Sequence, residues 1–136
     1  MSIGKKIALG LLAFGMIAIG TTHFTNPEPF VRIIPAWLPA PLWLVWISGV
    51  FEIAGGIGVV IPRTRRIAVW GLIALYVAVF PANLNMAIHE IQLNPQDPIP
   101  VWAMWLRLPF QILFIAWAYV FTKPLESPPS PAPPTP

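Results

Sequence analysis

Five polar or ionisable side chains interrupt the apolar stretches of this 136-residue sequence: His23, Glu52, Asn83, Arg107 and Gln111. They provide hydrogen-bond donors, hydrogen-bond acceptors, and a carboxyl and an imidazole that can transfer protons. Such a set could hold the oxygen atoms of an apolar ligand, or it could move a proton on one through Glu52. It could also be a polar clamp that only specifies helix packing. The residue types leave the functional and the structural interpretation open.

Glu52 lies near the middle of the apolar stretch WISGVFEIAGGIGVVIP. An ionised carboxylate is costly in the middle of a bilayer, so such residues usually face the protein interior and have a partner. Its helical face consists of small residues that let another helix approach closely: Ser48, Gly49, Gly55 and Gly56. Glu52 is therefore predicted to face protein rather than lipid.

Arg107 is the predicted partner of Glu52, because its guanidinium offers a planar fork that suits a carboxylate. At about 1.5 Å per residue, Arg107 lies about 9–10 Å from the Val101 end of its stretch and Glu52 about 6 Å deeper. Gln111 follows Arg107 by one helical turn on the same face. A carboxylate paired in this way is a poor acid at neutral pH, which argues against catalysis by Glu52.

Asn83 and Asn85 are two residues apart in FPANLNMAIHE and cannot share a helical face. Asn83 is predicted to face inward, because Tyr76 lies seven residues earlier on the same stripe. Asn85 is predicted to share the face of Pro81 and His89. His23, in GTTHFT, is predicted to lie at the mouth of the same half of the molecule.

The elements that position these residues follow from composition. The chain is 57% hydrophobic and only 10% charged, with a mean hydropathy of +0.72, whereas soluble domains are about 25% charged. Four apolar stretches, about 3–23, 41–61, 67–88 and 101–121, each reach the roughly 20 residues that cross a bilayer as a helix. The sequence predicts an all-α, integral membrane four-helix bundle over residues 1–123.

Two segments outside the spans are rich in proline. The loop TNPEPFVRIIPAWLPAPLW between the first two spans is also rich in aromatic residues, and it is predicted to lie in the membrane interface or fold back as a lid. Residues 124–136 are predicted to form a disordered cytoplasmic tail, which could be solvated or could contact a proline-reading domain.

Basic residues flank the spans and predict the orientation. Lys5 and Lys6, the arginines of the RTRR turn, and Lys123 fall on one side of a four-span topology. By the positive-inside rule both termini are cytoplasmic. The first span could instead be a cleaved signal peptide, but retention is expected because His23 then stays attached. The net charge of +3 reflects this topology, so a nucleic-acid partner is not expected.

Cofactor chemistry is constrained by what the sequence lacks. It contains no cysteine, which excludes thiolate nucleophiles, iron–sulfur clusters and Cys-ligated zinc. It has no flavin or haem motif, and His89 beside Glu90 is not expected to pair with His23 around a metal. No second carboxylate lies within a span to continue a proton relay.

The chain resembles the DoxX-like family of small four-helix bacterial membrane proteins over about residues 20–118. The matching pieces, in order, are GTTHF, NPEPF, PAWLPAP, SGVFEIAGGIGVVIP, TRRIAVWG, FPANLNMA and LRLPFQILFIAWA. The resemblance implies a location in the inner membrane of a bacterium, and it implies that the five polar residues belong to the family's motifs. The family name derives from a subunit associated with thiosulfate:quinone oxidoreduction, which makes a quinone ligand possible, redox-cycled by a partner protein. Most members have no assigned activity.

Three functions are consistent with the sequence. The first is a non-catalytic binding or accessory subunit with a pocket for a quinone or other lipid-soluble ligand. The second is an enzyme that uses Glu52 for proton transfer on an apolar substrate, like four-helix sterol isomerases. The third is an assembly subunit of a larger membrane complex, whose polar cluster is only structural.

Overall fold

The computed structural model describes residues 2–123 and 130–135. Over this part of the chain the secondary structure is helical, without strands. The helices are α1 (Ile3–Thr25), α2 (Glu28–Ile33), α3 (Pro41–Val60), α4 (Arg65–His89) and α5 (Val101–Val120). Four of them, α1, α3, α4 and α5, are long and apolar enough to cross a membrane. The predicted fold class, an all-α membrane four-helix bundle, is confirmed.

The ends of the long helices follow from local chemistry. The Ser2 hydroxyl caps α1 by accepting from the Lys5 amide, and α3 begins at Pro41, whose missing N–H is no loss in a first turn. Both α4 and α5 continue through an internal proline, Pro81 and Pro109. The observed helix ends differ from the predicted spans by at most two residues. Most of the predicted tail, residues 124–129 and 136, lies outside the described residues.

The helices pack in chain order, with α3 between α1 and α4, and α4 between α3 and α5. The seam between α1 and α3 is made by glycines, as the small face around Glu52 predicts. A Cβ on Gly49 would lie 2.8 Å from His23 Cβ, and one on Gly56 would lie 2.9 Å from the Ala13 carbonyl oxygen. Only glycine allows this approach, so α1 lies directly against the face of α3 that carries Glu52.

All four long helices contribute to one apolar core, formed near the end that holds residues 61–64 and both termini of the bundle. Its fully buried members include Leu12 of α1, Val59 of α3, Leu72 of α4 and Ala118 of α5. A smaller cluster lies at the other end, called here the α2 end, and joins Ile33 of α2 to α4 and α5. The space between the two clusters contains the cavity described below.

The loop between α1 and α3 folds back over the α2 end of the bundle. The Asn85 amide donates to the Ile33 carbonyl (2.9 Å), and the Phe30 ring stands edge-on to His23 with centroids 4.1 Å apart. Of the two placements predicted for this loop, the residues of α2 take the folded-back one. Trp37 of the same loop and Trp43 in the first turn of α3 are largely exposed.

An intramembrane cavity as the candidate functional site

A cavity of about 600 Å³ lies among the four long helices beneath the α2 loop. Its lining is mostly apolar, and it includes all five of the polar residues selected from the sequence: His23, Glu52, Asn83, Arg107 and Gln111. The fold therefore brings together residues from four different helices. Their role in binding a ligand stays a prediction.

Met16 and Tyr76 separate the cavity from the apolar core, since both residues belong to each. The Tyr76 hydroxyl donates to the Met16 sulfur (2.7 Å), which ties α1 to α4 at this level. Phe51 and Phe110 line the cavity and are also exposed on the outside of the helix bundle. The cavity thus has a closed end at Tyr76 and a side wall of aromatic residues that face lipid.

Glu52 is 7% exposed and lies beside His23, whose Nδ1 is 3.5 Å from the carboxylate Oε2. Ser48 donates its one hydroxyl proton to the Val45 carbonyl (2.8 Å), so its oxygen accepts from His23 Nδ1 (3.1 Å). In that tautomer Nδ1 carries the ring proton and donates it to Ser48. As a result, Glu52 Oε2 is buried without a hydrogen bond.

The predicted ion pair between Glu52 and Arg107 is wrong. Among the described residues no carboxylate oxygen lies within 4.0 Å of Arg107, and the group paired with Glu52 is His23. The reason is the packing order: the glycine seam places α1 against the Glu52 face of α3, whereas α5 packs on α4. Arg107 instead lines the cavity, half-buried, from the α5 side.

The amide residues form a second polar group on the α4–α5 wall. Asn83 donates to Gln111 Oε1 (2.5 Å), and Gln111 in turn donates to the Tyr76 carbonyl, in the turn of α4 that precedes Pro81. The inward orientation predicted for Asn83 is confirmed. Asn85 lies on another face and binds the α2 loop, with its carbonyl 3.2 Å from His89 Nδ1.

Three features of the site were not predicted. The sequence predicts Ser48 as a small packing residue, although its position one turn before Glu52 also places a hydroxyl on the same face. Met16 and Tyr76 closing one end, and Phe30 of α2 contacting His23, depend on which helices become neighbours. No spacing in the sequence carries that information.

The arrangement limits the chemistry of the site. The Gln111 amide is used at both ends, since it accepts from Asn83 and donates to the Tyr76 carbonyl. Arg107 lines the cavity and pairs with no carboxylate of the described residues, and Glu52 Oε2 accepts no hydrogen bond. Within the described part of the chain, no group of three or more His, Asp or Glu residues could hold a metal ion. The available interactions are therefore hydrogen bonds and proton exchange with a molecule that also suits apolar walls.

Comparison with known proteins gives a family but no activity. Residues 12–122 match the family model described as "Domain of unknown function (DUF8561)", and the chain belongs to that family. No curated protein and no solved structure matches the chain.

Proposed function

We propose that this member of the DUF8561 family is a non-catalytic binding or accessory subunit whose cavity takes a quinone-like or other lipid-soluble ligand. One observation carries the proposal: a cavity of about 600 Å³ combines apolar walls with polar side chains from four helices. Ligand sites in proteins typically measure about 300–1,000 Å³ and pair apolar linings with a few placed polar groups. Placing an ionisable side chain inside the membrane costs free energy. A binding site that uses such side chains explains why they are retained.

The polar residues have distinct roles in this proposal. Arg107 donates to a ligand oxygen, while the Asn83–Gln111 pair keeps the neighbouring wall in place. On the α1–α3 wall, His23 contacts the Glu52 carboxyl and is itself hydrogen-bonded to Ser48. The α2 loop covers the α2 end, and the exposed aromatic residues on the bundle side offer a route from lipid.

The resemblance to DoxX-like proteins supports a quinone as the ligand and an accessory role beside a redox partner. The chain's own residues would bind and orient the quinone, and the partner would carry the electrons. The proposal also includes the topology predicted by the basic residues: a bacterial inner membrane, both termini cytoplasmic, and the cavity in the periplasmic half. It requires that α1 be retained, because α1 supplies His23 and Met16.

Mass spectrometry of lipids that co-purify with the full chain tests this proposal. Ala78 and Ala74 are exposed residues one turn apart on α4, but only Ala78 lines the cavity. Phenylalanine at 78 should therefore obstruct the cavity, and phenylalanine at 74 should face lipid. We expect a stoichiometric lipid-soluble compound with the wild type and Ala74→Phe, and its loss from Ala78→Phe. Well-folded wild-type protein that repeatedly carries no such compound would favour the purely structural role.

A second candidate, an enzyme that transfers a proton through Glu52, is favoured by one specific observation. Glu52 lies beside His23 and not beside Arg107, so the reason to regard it as a poor acid no longer applies. A carboxyl and an imidazole in contact can pass a proton between them. If the protein turns over an apolar substrate, Glu52→Gln should abolish that turnover. In a binding subunit the same change only weakens ligand retention or folding.

A further inference from the structure

We infer that the head group of the ligand carries a hydroxyl that donates to Glu52, together with an oxygen that accepts from Arg107. This inference rests on the proposed function and narrows the class of ligand. It selects lipids with a phenol or alcohol head, such as the reduced quinol form of a quinone, over lipids whose oxygens are all ketones or ethers, such as the oxidised quinone. The two walls of the cavity supply the reasons separately.

The α1–α3 wall offers a buried oxygen that no described residue fills. Glu52 is more than nine-tenths buried, lines the cavity, and keeps Oε2 without any hydrogen bond. The one nearby proton, on His23 Nδ1, goes to Ser48, so the other ring nitrogen of a neutral imidazole is a further acceptor. A buried acceptor left unfilled destabilises a site, and a ligand O–H removes that penalty.

The α4–α5 wall supplies a donor, the guanidinium of Arg107. Gln111 uses both ends of its amide, accepting from Asn83 and donating to the Tyr76 carbonyl, and the Tyr76 hydroxyl donates to Met16. Arg107 has no carboxylate within reach among the described residues, and a guanidinium has donors only. This wall therefore requires an oxygen that accepts.

A ligand with ketone or ether oxygens satisfies Arg107 and leaves Glu52 unfilled. A ligand with a hydroxyl on its head can satisfy both walls, since a hydroxyl oxygen accepts while its proton is donated. A site built to bind a hydroxyl discriminates strongly against the analogue that lacks it, because the buried partner is then left unpaired. The discrimination should therefore depend on Glu52, and the overall affinity on Arg107.

The test uses 4-nonylphenol and 4-nonylanisole, which share an apolar tail and differ by a methyl group in place of the hydroxyl proton. Binding to the full chain in lipid nanodiscs is measured by native mass spectrometry, with each probe expressed as its mole fraction in the bilayer. We expect the phenol to bind on the order of tenfold more tightly, the factor that one unfilled buried acceptor accounts for.

Two variants assign the preference to its residues. Glu52→Gln keeps the shape of the side chain but replaces one carboxyl oxygen with an amide nitrogen that can only donate, so the preference for the phenol should largely disappear. Arg107→Leu should weaken both probes by a similar factor, because both have an oxygen that accepts. Glu90→Gln, on the exposed C-cap of α4 outside the cavity, is the matched control and should change neither.

The outcomes separate this inference from the function it rests on. Equal binding of the two probes to the wild type, with both competing for the cavity, overturns the hydroxyl requirement and leaves a lipid-binding protein. A preference that survives in Glu52→Gln overturns the assignment to Glu52. If Glu52→Gln does not fold, the preference for the phenol is compared between the wild type and Arg107→Leu. A preference in the wild type that persists in Arg107→Leu supports the inference, and equal binding of the two probes overturns it. If neither probe binds, and no lipid co-purifies, the proposed function itself is wrong.

Discussion

Replacing Gly20 by alanine should separate α1 from α3 and destabilise the bundle. A Cβ at Gly20 would lie 2.9 Å from the backbone oxygen of Gly49, 2.8 Å from Ile53 Cγ1 and 3.1 Å from Glu52 Cβ. The Ile53 methylene can adjust, but the carbonyl belongs to helical backbone and cannot rotate away. It is about 0.5 Å inside ordinary contact distance, so the helices themselves must move apart.

The magnitude follows from comparison with Gly10 on the same helix, where an added Cβ meets nothing within 4 Å. Both substitutions gain the same helix propensity, about 0.5–1 kcal/mol. Only Gly20→Ala also has the overpacking penalty, typically about 1–3 kcal/mol. The difference in unfolding free energy between the two variants should therefore be about 1–3 kcal/mol, with Gly20→Ala the less stable.

Reversible unfolding in mixed micelles, titrated with a denaturing detergent and followed by circular dichroism, measures this difference. Gly56→Ala should behave like Gly20→Ala, because its Cβ would lie 2.9 Å from the Ala13 carbonyl oxygen. If Gly20→Ala is as stable as Gly10→Ala, α1 and α3 do not meet through these glycines. The placement of His23 beside Glu52 would then be wrong as well, since the same seam produces it.

Two further predictions concern the polar contacts around the cavity. Gln111→Leu leaves the Asn83 amide without its acceptor and removes the side-chain donor to the Tyr76 carbonyl, so the unfolding free energy in the same titration should fall by about 1–3 kcal/mol, while Gln96→Leu in the exposed loop should have little effect. An unchanged stability would mean that the amide pair is not formed. Asn85→Ala removes the donor to the Ile33 carbonyl, a net loss of about 1 kcal/mol that should raise the hydrogen-exchange rate of the α2 amides roughly fivefold and leave the α3 amides unchanged. Equal protection of α2 in both proteins would show that the loop is held by other contacts.

Hydropathy and charge predicted the fold because they act locally. A stretch of apolar residues long enough for a bilayer becomes a helix wherever it lies, since its backbone groups have no other way to form hydrogen bonds. The small residues around Glu52 likewise predicted which face of α3 is buried. Their effect, close approach of another helix, does not depend on which helix approaches.

Depth along the helices also predicted which polar residues lie close together around one cavity. His23, Asn83 and Gln111 were selected because each lies in the same half of its span as Glu52. The cavity collects them, since four helices of similar length leave few places at that depth. The depth of a residue along its helix axis depends only on its position in the sequence, so it can be predicted without knowing the neighbouring helices.

Depth along the helices does not predict which residue is the partner of Glu52. Arg107 and His23 both lie within a few turns of the right depth, so depth does not separate them. The choice depends on which helix occupies the seam next to Glu52 and on how each helix is rotated about its axis. The rotation of α1 and α3 about their axes follows from the packing of their glycines against each other. The sequence alone thus determined the spans, their polar residues and the buried face of α3. Only the tertiary structure decided that Glu52 meets His23 and that Arg107 faces the cavity, because neighbour and rotation are properties of helix pairs and not of any one helix.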